Sequence, residues 1–247
     1  MPPILYMALS SLPGDPDALY LDLQSSMNAR AKAALADHYL SMFDWLKKRF
    51  QKKVWVERSG ASLIFVAALV RLFPDSKFIH LHRDGRETAI SIQRYPPLSL
   101  LAKSWRDAGR FGLDMLAPPF RLGDSRALAM MEKMASPFHR GAGALADLET
   151  AGAFWSSMVL TGLEALDSVP ADRKLTVRYE RLVAEPENQL TEILDFIDPE
   201  FSGADWIRSA SGLIAPGANN SEALTPQEFC ALTNACRPGL LALGYEA

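Results

Sequence analysis

One pattern occurs twice in the chain and limits its fold more than any other feature: a short β-type run, a polar turn, then apolar residues at helical spacing. In the first copy Val54, Trp55 and Val56 read as the strand and Glu57, Arg58, Ser59 and Gly60 as the turn. Ala61 to Phe73 is then the helix. Phe73, Pro74 and Asp75 make a second turn. Phe78 to His82 reads as another strand, and Arg83, Asp84 and Gly85 open another helix. Strand, helix, strand in this order implies a βαβ unit with parallel strands. Its polar turns lie at the strands' carboxyl ends, where open α/β sheets bind ligands.

Asp84 fits a helix N-cap and Glu87 the third helical position, a capping-box pattern that places the helix start at Gly85. Exposed amides, the helix dipole, Arg83 and Arg86 together favour an anion there. Arg58, Ser59 and the amides of Gly60 to Ser62 offer a second anion-friendly turn. Two solvated, capped turns would produce the same spacing, and spacing alone does not separate the readings.

The remaining segments surround this core. Asp17 to Ser26 and Ala29 to Phe50 read as helices, the second amphipathic through Leu35, Tyr39, Phe43 and Leu46. After Ser91 come a helix over Leu98 to Met115 and loops at 117–124 and 136–143. Between the loops lies a methionine-rich helix carrying Met130, Met131 and Met134, and then a long helix over Leu148 to Leu166. Lys174 to Tyr179 is the third strand, and Pro186 begins a helix. Thr225 and Glu228 form a capping box for the last one. We expect a single domain over 1–247. It comprises a helical region 1–52, the βαβ core 53–95, a helical insertion 96–170, and the last strand with C-terminal helices 171–247.

The 247 residues are 49% hydrophobic and 22% charged, with a net charge of −3, so nucleic acid is not an expected partner. Cys230 and Cys236 lie six apart in one helix and so on different faces, which argues against a disulfide or zinc framework and favours a cytoplasmic protein. No run of about 18 apolar residues is present to span a membrane. Composition does not set the oligomeric state.

Residues Trp55 to Gly60, Phe73 to Ser91 and Arg178 to Leu182 resemble the bacterial sulfotransferase family. The resemblance implies an α/β fold of the P-loop-nucleotide-hydrolase type, a parallel sheet flanked by helices. It also implies transfer of a sulfuryl group from 3′-phosphoadenosine 5′-phosphosulfate to a hydroxyl or amine, in line and with no metal. On that resemblance Arg83 and Ser91, eight positions apart, hold the 3′-phosphate. Arg86, Ser59 and Gly60 help bind the nucleotide, Tyr179 contacts adenine, and Arg58 holds the sulfuryl oxygens. The insertion 96–170 helps build the site for a small acceptor with some apolar surface.

The chain also departs from the family pattern. No strand and basic glycine-containing phosphosulfate loop is legible before Lys53, so the chain reads as N-terminally short, with its first strand missing. Arg58 to Ser62 has two placements. It can be that loop, or it can be the second strand's basic motif, which its separation of 25 residues from Arg83 favours. Gly60 stands where some relatives carry a histidine base, which leaves Glu57 as the nearest carboxylate. His80 and His82 share a strand face and read as structural. The segment 201–223 lacks the basic loop that closes many such sites. A non-catalytic or truncated sulfotransferase-like protein that binds a nucleotide or partner is the alternative. A kinase-like protein is weaker, because no Gly-x-x-x-x-Gly-Lys-Ser/Thr loop is present.

Overall fold

Two parallel strands form the sheet among the described residues, β1 (Phe78–His82) and β2 (Lys174–Arg178). Their register sets Phe78 opposite Lys174 and His82 opposite Arg178. The residues that follow, Arg83 and Tyr179, therefore leave the sheet side by side at its carboxyl end. Parallel pairing requires a long crossover, and the helices between the two strands supply it. The computed structural model describes residues 9–58, 62–116, 145–201 and 203–247. It falls into two compact units, Met1–Gly60 and Ala61–Ala247.

In the first unit, α1 (Pro16–Asn28) is capped by Asp15, whose carboxylate accepts the Asp17 amide at 3.0 Å. The next helix, expected from Ala29, begins later, as α2 (Leu35–Arg49). The strand expected at Val54–Val56 is absent: residues 54–58 have no regular secondary structure. β-type composition describes fit to a half-buried pleated surface, and Val54 and Val56 are exposed here. Trp55 instead stacks on Phe43 of α2, with ring centroids 3.8 Å apart and planes within 12°. This long-range anchor leaves no trace in strand propensity. The βαβ unit expected from residues 53–82 is thus not formed, and β1 takes β2 as its partner.

In the second unit the helix expected from Ala61 is a 3₁₀ turn (Ser62–Phe65) leading into α3 (Val66–Leu72). After β1, α4 (Gly85–Arg94) starts where the sequence places it, and α5 (Pro96–Gly109) has proline at its first position. The central helix α6 (Leu148–Asp167) is capped by Asp147, which accepts the Thr150 amide at 2.7 Å. After β2 follow α7 (Tyr179–Ala184), α8 (Pro186–Ile197), α9 (Ala204–Ser211) and α10 (Pro226–Ala242). Thr225 and Glu228 form the expected capping box of α10.

Helix α6 packs between α4 and α10, burying Phe154, Trp155 and Met158 against Ile90, Leu232 and Leu240. Trp155 fixes the geometry. A Cβ added at Gly85 would lie 2.2 Å from its indole, and one at Gly239 2.7 Å away. Only glycine lets the start of α4 and the back of α10 close on the same ring. Cys230 is exposed and Cys236 buried, so the two thiols lie on different faces of α10 as expected. The expected methionine-rich helix with Met130, Met131 and Met134, and the loops flanking it, lie outside the described residues.

Candidate nucleotide site

An open cavity of about 660 Å³ lies at the carboxyl end of the sheet. That volume is within the usual range for a small-molecule site. The β1–α4 turn, the β2–α7 turn, the segment Pro216–Ser221 and the chain end at Gly244–Glu246 enclose it. The guanidinium of Arg83 lies over the Tyr179 ring, 4.8 Å from its centroid. Above this pair passes Gly217, whose amide donates to Tyr179 Oη at 2.9 Å, and Arg83 Nη2 donates to the Ala218 carbonyl at 3.1 Å. A Cβ at Gly217 would sit 3.0 Å from Tyr179 Oη and 3.2 Å from Arg83 Nη1, so the crossing is tight.

A second network joins the two turns to the chain end. Glu180 Oε1 accepts the Asp84 amide at 2.9 Å, which ties the turn after β2 to the turn after β1. Its Oε2 accepts the Tyr245 hydroxyl at 2.8 Å, and the same hydroxyl lies 3.2 Å from His82 Nδ1. Arg178 lies 3.9 Å from the Tyr245 ring centroid and 3.4 Å from Glu180. Burial works to raise the Glu180 carboxyl, but the hydrogen bonds from the Asp84 amide and Tyr245 outweigh it and hold the group below the usual value. Burial, then acceptance by Glu180, pushes the Tyr245 phenol up. His82 is lowered, by burial first, with Glu180 opposing and Arg178 assisting. Its neighbour His80 is pushed down to about 4 by burial and then by His82.

The capping box expected at Asp84 and Glu87 forms only in half. Asp84 caps α4 by accepting the Arg86 amide at 2.8 Å, but Glu87 does not return to the Asp84 amide, which Glu180 has taken. Glu87 accepts instead the amides of Ser221 at 2.8 Å and Asn220 at 3.0 Å. Burial acts to raise its carboxyl, and these bonds together hold it below the usual range. Two of the amides expected to face an anion, those of Asp84 and Arg86, already serve carboxylates. Arg86 itself is bound to Asp84 through contacts of 2.6 and 3.0 Å, which raises its own pKa. Three guanidinium groups, of Arg83, Arg86 and Arg178, line the cavity. Arg86 and Arg178 each pair with a carboxylate, and Arg83 lies 3.6 Å from Glu87.

Of the residues anticipated from sequence, Arg83, Arg86 and Tyr179 line one cavity. Ser91 is exposed one turn beyond Glu87, and its hydroxyl donates to the Glu87 carbonyl at 3.1 Å. Glu57 and Arg58 belong to the first unit and are exposed. Ser59 and Gly60 lie outside the described residues. Sequence reasoning did not assign Glu87, Glu180, Tyr245 or the segment Pro216–Ser221 to the site. Glu180 is adjacent to a candidate, Glu87 reads as a local cap, and the other contacts join residues from 38 to 163 positions apart. Among the described residues no group of three or more His, Cys, Asp or Glu is placed to hold a metal ion.

The family model described as "Sulfotransferase family" matches residues 15–121 and 124–203, well over half of the chain. The chain belongs to the sulfotransferase family. This sulfotransferase-family chain is also similar in fold to a solved structure, the "Sulfotransferase Domain from the Curacin Biosynthetic Pathway". The TM-score is 0.51 at 17% identity, over 98% of this chain and 77% of that one. At that identity the likeness speaks for the fold alone. No curated protein matches the chain. Among the described residues no helix is long and apolar enough to cross a membrane.

Proposed function

We propose that the protein is a sulfotransferase that takes 3′-phosphoadenosine 5′-phosphosulfate as donor and a small acceptor, with some apolar surface, through a hydroxyl or amine. The observation that carries this reading is the stacked Arg83–Tyr179 pair over a cavity at the carboxyl ends of two parallel strands, in a chain of this family. Arg83 offers a planar fork of donors matched to a phosphate, and the Tyr179 ring offers a face for a purine. Ser91 is assigned to the same 3′-phosphate and Arg86 to the nucleotide. Arg58 holds the sulfuryl oxygens, flanked by Ser59 and Gly60, and Glu57 takes the acceptor proton. The donor supplies the sulfuryl group, and the chain's residues bind, orient and accept the proton. Two free cysteines fit a reducing cytoplasm.

A nucleotide-binding relative without turnover is the second reading. It is favoured by the engagement of the Asp84 and Arg86 amides with carboxylates and by the Ala218 carbonyl on Arg83. Thermal-shift titration tests binding, since a ligand selective for the folded state raises the melting temperature. 3′,5′-Bisphosphoadenosine should raise it more than Mg-ATP does, and the reverse order would favour a kinase-like protein. Transfer of radiolabelled sulfate from the donor to a panel of hydroxyl and amine acceptors then separates the two readings.

A further inference from the structure

Glu87 lies on the cavity wall yet is only 7% exposed. The backbone amides that bond its carboxylate come from the segment Pro216–Ser221 and not from its own helix start. Oε1 accepts the Ser221 amide at 2.8 Å, and Oε2 accepts the Asn220 amide at 3.0 Å and lies 3.6 Å from Arg83 Nη2. The Asn220 side-chain amide approaches the same oxygen at 3.5 Å, while Arg94 Nη1 donates to Asn220 Oδ1. One carboxylate therefore faces a guanidinium on one side and the foot of the segment Pro216–Ser221 on the other. That segment crosses Arg83 and Tyr179 at Gly217 and Ala218.

We infer that Glu87 is a positioning residue of the nucleotide site, latching the segment Pro216–Ser221 at Asn220 and Ser221 so that Arg83 is held over Tyr179. The inference rests on the proposed nucleotide-binding function. The chemistry requires a carboxylate. Four donor groups converge on Glu87, two backbone amides, the Asn220 side-chain amide and the Arg83 guanidinium, and an acceptor-only group satisfies all of them. A glutamine of the same shape would keep one oxygen and turn an NH₂ toward either the Ser221 amide or the pair formed by Asn220 and Arg83. Donor would then face donor. Aspartate keeps charge and acceptors but is one methylene shorter. The bonds from Ser221 and Asn220 keep the carboxyl ionised against the cost of burial.

The test compares wild type, Glu87→Gln and Glu87→Asp in two independent measurements. Hydrogen exchange of peptides covering 218–224 reads the latch without any nucleotide. Calorimetric titration with 3′,5′-bisphosphoadenosine and with adenosine 5′-monophosphate reads the hold on Arg83. Glu87→Gln should speed exchange at the Asn220 and Ser221 amides and weaken the bisphosphate at least about tenfold, the effect of losing one charge-assisted bond. Affinity for the monophosphate should change far less, a split that general loosening of the fold would not produce. Glu87→Asp should retain an intermediate share of both effects and carries the test if the glutamine variant does not fold. Unchanged exchange in the variants overturns the latch. Unchanged bisphosphate affinity, in a protein whose wild type prefers the bisphosphate, overturns the hold on Arg83 and leaves the nucleotide reading intact. A wild type that does not distinguish the two nucleotides refutes that reading instead, and the exchange measurement still decides the latch.

Discussion

Arg83 and Tyr179, 96 positions apart in the chain, lie with guanidinium over ring at 4.8 Å because each is the residue that follows a strand and the strands pair with His82 opposite Arg178. The parallel register does more than bring them near. It gives both side chains the same exit from the sheet, and the Gly217–Ala218 crossing then touches both.

Replacing Arg83 by alanine should weaken binding of 3′,5′-bisphosphoadenosine by about 1.5–3 kcal/mol, the range for a hydrogen bond to a charged group. Arg83→Lys should recover only part of that, keeping charge without the planar fork. Titration calorimetry decides it, and an alanine variant with wild-type affinity would remove Arg83 from the site.

Tyr245→Phe should cost about 1.5–3 kcal/mol of stability, because Glu180 Oε2 loses the hydroxyl that donates to it at 2.8 Å. The ring contact with Arg178 at 3.9 Å would remain, so loss of the hydroxyl alone is measured. A denaturant titration unchanged from wild type would show that the bond contributes nothing net.

Gly85→Ala should destabilise by about 1–3 kcal/mol or more through overpacking, since the new Cβ would lie 2.2 Å from the Trp155 indole. In a Trp155→Leu background the same change should cost less. A double-mutant cycle with zero coupling energy would contradict the steric account.

Stability should fall with acidification in two stages. His80 is pushed down to about 4 from a reference of 6.5, so the folded state binds fewer protons than the unfolded one. Its contribution is complete above pH 6.5 and is lost as pH falls toward 4, at most about 3 kcal/mol. Glu87 and Glu180 are held below their reference of 4.5, so their contribution is present above that pH and is lost as pH falls through their folded values. Urea midpoints should decline between pH 7.5 and 5, and a His80→Phe variant should reduce this upper stage, leaving the share of His82, which burial also lowers. A flat profile in the wild type would refute the assignment.

Local chemistry was legible in the sequence wherever it was self-contained. Asp84 before Gly85 and Thr225 with Glu228 cap helices because a cap closes within about one turn. The strand at Phe78–His82 and the one read as Lys174 to Tyr179, which ends at Arg178, were legible from composition and turn residues together with the family's motifs, and a cavity lies just beyond them. Long-range pairing decided the rest. Trp55 reads as part of a strand but stacks on Phe43, so no strand forms there. Glu87 reads as the second half of a capping box. In the fold it is the acceptor for Asn220 and Ser221, while Glu180, placed by the β1–β2 register, takes the Asp84 amide. A carboxylate and an amide can each bond to whatever the fold brings within 3 Å. Sequence spacing limits those partners only within a turn or two, and beyond that the packing of α4, α6 and α10 around Trp155 chooses them.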